Sequence, residues 1–132
     1  MSLLRLLDHL FFAFHTLLIA FNMTGWAWRR TRLAHAVVLG LTFFSWFAMG
    51  AFRGWGYCLC TDWHFQLRRH LGDPVPESSF IQLFARQALG LHVGKQTCDR
   101  LAAGVLAAIV VATALAWAAE WRRRNRAGLS PG

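Results

Sequence analysis

The chain has 132 residues, 56% apolar and 15% charged, with a net charge of +8, yet its mean hydropathy is positive at +0.36. A water-soluble domain carries roughly 25% charged residues, so this balance excludes an ordinary soluble globule and fits a membrane protein whose charges sit in loops. The excess is thirteen arginines and one lysine, Lys95, clustered beside tryptophans at 29–32 and 122–126; with no single basic face, nucleic acid is excluded as a partner.

The first apolar run covers about 6–28. At 1.5 Å per residue it reaches about 34 Å, enough to cross a hydrocarbon core of about 30 Å. A signal peptide is rejected because the run is too long, carries Asp8, His9, His15 and Asn22, and lacks a small-residue cleavage site. The second run, about 33–52, has no acidic or basic residue except His35 until Arg53. The third, about 101–121, is Ala-, Val-, Leu- and Ile-rich, and spaces Gly104, Ala108, Ala112 and Ala116 at helical intervals. Small residues at that spacing allow another backbone to approach closely.

The arginine-rich 29–32 turn and 122–126 tail place those two ends in the cytoplasm. Three spans then put the N-terminus and a 57–100 cap on the periplasmic side of a bacterial inner membrane. The bias to arginine over lysine, with much alanine and glycine, agrees with a GC-rich bacterial gene. Within the cap, Thr61 is read as an N-cap and Asp62 as a first-turn charge. The short helix they open sets Trp63, Leu67 and Leu71 against the membrane interface. Gly72 and Asp73-Pro74-Val75-Pro76 turn the chain, and Ser78 or Ser79 caps a second short helix through about Leu89. The expected fold is therefore all-α, one membrane domain over 1–127, with three transmembrane helices, two short interfacial periplasmic helices and a disordered tail over 128–132.

Polar residues inside spans are costly and turn toward a bundle interior. Asp8, His15 and Asn22 recur every seven residues, on one stripe of the first span. Folding spans one and two antiparallel about Thr31 brings Asn22 level with His35, His15 with Ser45, and Asp8 with Arg53. The expectation is a polar seam of Asp8, His15, Asn22, His35, Ser45 and Arg53 that ends in an Asp8–Arg53 ion pair. Interhelical hydrogen bonds at about 0.6 kcal/mol each serve as glue, which is the plainer reading of such a seam.

The densest chemistry lies in Gly54-Trp-Gly-Tyr-Cys58-Leu-Cys60-Thr-Asp-Trp-His64. Cys58, Thr61, Asp62, Trp63 and His64 form the candidate functional cluster, with no catalytic residue assignable. Cys58, Cys60 and His64 offer an alternative zinc or copper site, but their spacing matches no zinc signature, so no cofactor is expected. Histidines 15 and 35 lie about 15 Å apart in depth, which argues against a transmembrane haem. Cys98 is placed to bridge Cys58 or Cys60, and a structural disulfide or none is expected rather than a redox dithiol. No Gly-x-Ser-x-Gly motif is present.

Several stretches together resemble one family of small bacterial membrane proteins, domain of unknown function 2784. They are His15, Asn22-Met-Thr-Gly-Trp26, Trp28-Arg-Arg-Thr-Arg-Leu-Ala-His35, Leu41-Thr-Phe-Phe-Ser-Trp46, Gly54-Trp-Gly-Tyr-Cys58, Thr61-Asp-Trp-His64 and Ser79-Phe-Ile81. Relatives commonly read Cys-Pro-Leu-Thr where this chain has Cys58-Leu-Cys-Thr61, which argues against a general role for Cys60. The resemblance implies a helical integral membrane protein and implies no particular activity. From the sequence the chain is expected to be a non-enzymatic accessory or assembly subunit. Its expected partners are the lipid bilayer and either further copies of itself or a larger membrane protein. The alternative is a membrane redox or metal protein acting through Cys58, Asp62 and His64.

Overall fold

A computed structural model describes residues 2–128, and every regular element among them is a helix. Helix α1 runs Leu3–Thr24, its first turn closed by the Ser2 hydroxyl accepting from the Arg5 amide. Helix α2 spans Arg32–Arg53, α3 Leu59–His70, α4 Phe80–Leu89 and α5 Lys95–Gly128. Helices α1, α2 and α5 are long and apolar enough to cross a membrane. Of the tail expected over 128–132, Gly128 closes α5, and the rest lies outside the described residues.

Helix α1 stops at Thr24, short of the expected 28, because the chain must reverse tightly into α2. The Gly25 amide donates to Phe21 O, and the Thr31 hydroxyl, 2.8 Å from Gly25 O, ties the turn back on itself. His35, fully buried, packs on the bare Gly25 backbone and donates from Nε2 to Asn22 O at 2.9 Å. That carbonyl is one of the four that a helix C-terminus leaves without an amide. His35 thus works as a C-cap supplied by the next helix.

Helix α2 is not uniformly α. Phe44–Met49 is π-helical, which spacing on an ideal helix does not register. The Ser45 hydroxyl within it donates to Tyr57 O at 3.0 Å and holds the loop leading to α3. Gly54 at φ +109° and Gly56 at φ +75° make the reversal there, in backbone regions that side chains avoid.

The short helices are also placed by capping. Ser79 accepts from the Gln82 amide, and Gln82 Oε1 accepts from the Ser78 amide at 3.0 Å. Gly90 then closes α4 in the left-handed conformation at φ +66°. Helix α3 begins at Leu59 with Cys58 as its N-cap, rather than with Thr61 as the cap, because the Asp62 amide already donates to Cys58 O at 3.0 Å.

Among the described residues the buried set contains as many polar as apolar members. Asp8, His15, Asn22, His35, Thr61, His64 and Arg68 are inside, while leucines, phenylalanines and tryptophans lie exposed along α1, α2 and α5. This is the reverse of a soluble domain. The apolar core is small: Phe65, Phe80 and Leu83 close over Phe12 and Ile19 of α1. It seats the two short helices against the middle of α1.

Candidate functional site

Three residues of α1 are buried: Asp8, His15 and Asn22, the heptad stripe. Their partners come from three different elements. Asn22 Nδ2 donates to Thr42 Oγ1 of α2 at 3.2 Å, and its carbonyl receives His35, so this end of the seam lies between α1 and α2 as counted. Further out, α3 replaces α2 as the principal neighbour of α1. His15 therefore meets Cys58 and Phe80 instead of Ser45: its Nε2 is 3.9 Å from Cys58 Sγ, and its ring stacks on Phe80 with centroids 4.1 Å apart.

Asp8 does not pair with Arg53. Arg53 is exposed and lies over the Tyr57 ring, 5.9 Å from its centroid. Asp8 instead accepts from His64 Nε2 at 2.7 Å and from Arg68 Nη1 at 3.3 Å. The straight antiparallel count fails here because it supplies depth along the axis and assumes which helix stands opposite. Helix α3 lies against α1 there, and its buried side is Thr61, His64, Phe65 and Arg68. Trp63 points outward, 52% exposed, so the side of α3 against α1 is this polar face rather than the Trp63–Leu67–Leu71 side.

A continuous charge network results. Arg5 donates to Asp73 at 2.5 Å, Asp73 stands 4.0 Å from Arg68, Arg68 bonds Asp8, and Asp8 bonds His64. With its oxygen turned toward Arg68, the Gln87 carboxamide of α4 accepts from both terminal nitrogens at 2.9 and 3.1 Å. Arg5 holds the Asp73 carboxyl below its ordinary value. Burial pushes the His64 imidazole below its ordinary value, although the bond to Asp8 pulls the other way. A neutral His64 therefore donates to the Asp8 carboxylate, and its buried Nδ1 is left without a partner. The network floors an open cleft of about 510 Å³ bordered by Arg5, His9, Phe12 and Ala88.

The remaining cluster residues divide between faces. Asp62 accepts from the Tyr57 hydroxyl at 3.0 Å and from Gln66 at 3.2 Å, which makes it a helix-start residue. Cys58, Cys60 and Cys98 are all free thiols, with Cys98 buried and the other two half-buried. Burial and the neighbouring Cys58 raise the Cys60 thiol above its ordinary value. The alternative Cys58–Cys60–His64 ligand set does not assemble, because His64 is engaged by Asp8 and the imidazole beside Cys58 is His15. Among the described residues no group of three His, Cys, Asp or Glu side chains is placed to hold a metal ion.

A family model described as Protein of Unknown function (DUF2784) matches residues 5–128. The chain belongs to the DUF2784 family. No curated protein and no solved structure matches it. The DUF2784 match runs through all five helices, so it takes in both the Asp8 network and the opposite, arginine-rich end. Sequence reasoning on this DUF2784 chain missed Arg68, Asp73, Arg5 and Gln87. A signal was available: Asp8 is the lone carboxylate of its span and needs a cation, and Arg68 follows His64 by four residues, on the same side of a helix.

Proposed function

We propose that this protein is a non-enzymatic accessory or assembly subunit of the bacterial inner membrane. The N-terminus and the 57–100 cap are periplasmic, and the 29–32 turn and the C-terminal end of α5 are cytoplasmic. Seven arginines (29, 30, 32, 122, 123, 124 and 126) against Glu120 at one end support that orientation, whereas the cap has five basic and four acidic residues.

The observation that carries the accessory role is the bareness of α5. Of its 34 residues only Cys98 and Ile109 are buried, and Gly104, Val105, Ala107 and Ala108 are exposed. Small outward residues favour helix–helix packing in a bilayer. The Asp8–His64–Arg68 network is matched in charge, which agrees with internal glue. Sedimentation of the detergent-solubilised protein tests the reading: an assembly that Ala108→Leu dissociates is expected. A monomer unaffected by that change, and no partner lost with it, would end the proposal.

A second reading, a thiol-based redox or soft-metal protein, rests on one contact, Cys58 Sγ against His15 Nε2. Zinc-type bonds of about 2.3 Å to sulfur and about 2.0 Å to nitrogen span such a separation. Metal analysis of the purified protein, with Cys58→Ser and His15→Ala as controls, decides it; metal content at background in all three removes the reading.

A further inference from the structure

At the arginine-rich end, α5 passes the α1–α2 turn without closing on it. A groove of about 410 Å³ remains, with Trp26 and Arg32 on one side and Ala112, Ala116, Ala119 and Arg123 on the other. The alanines leave it open: a larger side chain at those positions would fill the space. We propose that this groove binds the headgroup and upper acyl region of an anionic glycerophospholipid.

Charge supports that occupant. The one carboxylate present, Glu120, is shared by Arg29 at 2.5 Å, Arg124 at 3.1 Å and Arg32 at 3.9 Å, so this end keeps a net positive charge with Glu120 counted. Arg32 is held across the floor, donating from Nε to Trp26 O at 3.0 Å and from Nη1 to Ala116 O at 3.4 Å. Its Nη2 makes no hydrogen bond, and Arg123 makes no ion pair, among the described residues. The groove thus offers Nη2 of one fixed guanidinium and the whole of a second, unpaired one, charged donors that suit phosphate oxygens. The wall beneath is apolar alanine and leucine, at the depth marked by Trp26, Trp117 and Trp121. Basic recesses between transmembrane helices select anionic lipids by this combination of charge and an acyl-lined wall. The inference does not depend on the accessory role, since a monomer with the groove intact would still bind lipid.

Native mass spectrometry of the full-length, detergent-purified protein tests it, with phosphatidylglycerol, phosphatidylcholine and glycerol 3-phosphate as probes. One phosphatidylglycerol per chain is expected to be retained over phosphatidylcholine, with glycerol 3-phosphate alone not retained. Arg123→Gln should weaken retention about fivefold, the weight of one basic residue at an anionic surface. Ala119→Leu, on an exposed position of the groove wall, should abolish it with every charge in place. Arg122→Gln with Arg126→Gln removes two charges from the same end but outside the groove, and should change retention less than Arg123→Gln alone. Equal loss with that control, indifference to Ala119→Leu, or comparable retention of glycerol 3-phosphate would each overturn the proposal.

Discussion

Replacing Asp8 with alanine removes the carboxylate that serves two buried donors at once, His64 Nε2 at 2.7 Å and Arg68 Nη1 at 3.3 Å. At 3.3 Å and an effective dielectric of about 20, the Arg68 attraction alone is worth about 5 kcal/mol before desolvation is charged against it. Arg68 is 7% exposed and cannot reach water freely in the variant. Asp73, 4.0 Å away and already bonded to Arg5, is a weak substitute. Breaking a buried pair by removing one member costs about 3–5 kcal/mol, so Asp8→Ala should release α3 from α1 by an amount in that range.

The double variant Asp8→Leu with Arg68→Met is the informative control. It removes both charges and fills the space with apolar side chains, and such exchanges are often neutral. It should therefore recover most of the loss rather than add to it, giving a coupling energy well above the few tenths expected for independent sites. Thermal unfolding of the detergent-purified protein by tryptophan fluorescence measures the total. The rate of Cys58 alkylation measures local release, because that thiol is the N-cap of α3 and lies beside His15. A single variant within about 0.5 kcal/mol of the parent, or a double variant as damaged as the sum of its singles, would refute the network as the fastening of the cap.

Two further outcomes follow from the same geometry. Gly25→Ala would put a Cβ 2.8 Å from Phe21 O and 2.9 Å from His35 Cδ2. Neither a helix carbonyl nor a fully buried ring can yield cheaply, so a loss of about 1–3 kcal/mol is expected in the same melt, and an unchanged midpoint would contradict the packing described. Acidification should loosen the cap through His64. Because burial lowers its pKa in the folded protein from 6.5, the unfolded cap binds the proton first; the contribution is complete above about pH 6.5 and is lost as pH falls toward the folded value, by at most about 1.4 kcal/mol per unit. Melting midpoints from pH 8 to 5 should fall in the parent and flatten in His64→Gln; a rise on acidification would reverse the assignment.

The heptad stripe of α1 was legible because polar residues at a seven-residue interval must share a side of any helix, and the structure buries those three residues of α1 and no others. Their partners were not legible beyond Asn22. A residue count fixes depth, and depth sufficed where α1 and α2 leave the same turn. Toward the other end it could not say that α3 would lie against α1, so Arg53 was taken where Arg68 belongs. The Cys58–His64 stretch looked like one cluster because its residues are adjacent in the chain. On a helix, adjacency separates side chains by about 100°, and Asp62 and Trp63 turn away from His64 accordingly.

Sequence alone determined three apolar helices, the position of the tight turns and the charge asymmetry of the two ends, since run length, glycine and arginine placement act locally. Tertiary structure alone decided which buried charge meets which, that His35 caps the preceding helix, and that the imidazole beside Cys58 is His15. Those outcomes depend on how helices are rotated about their axes and which one intervenes, and that is set by the packing of the whole chain rather than by any segment of it.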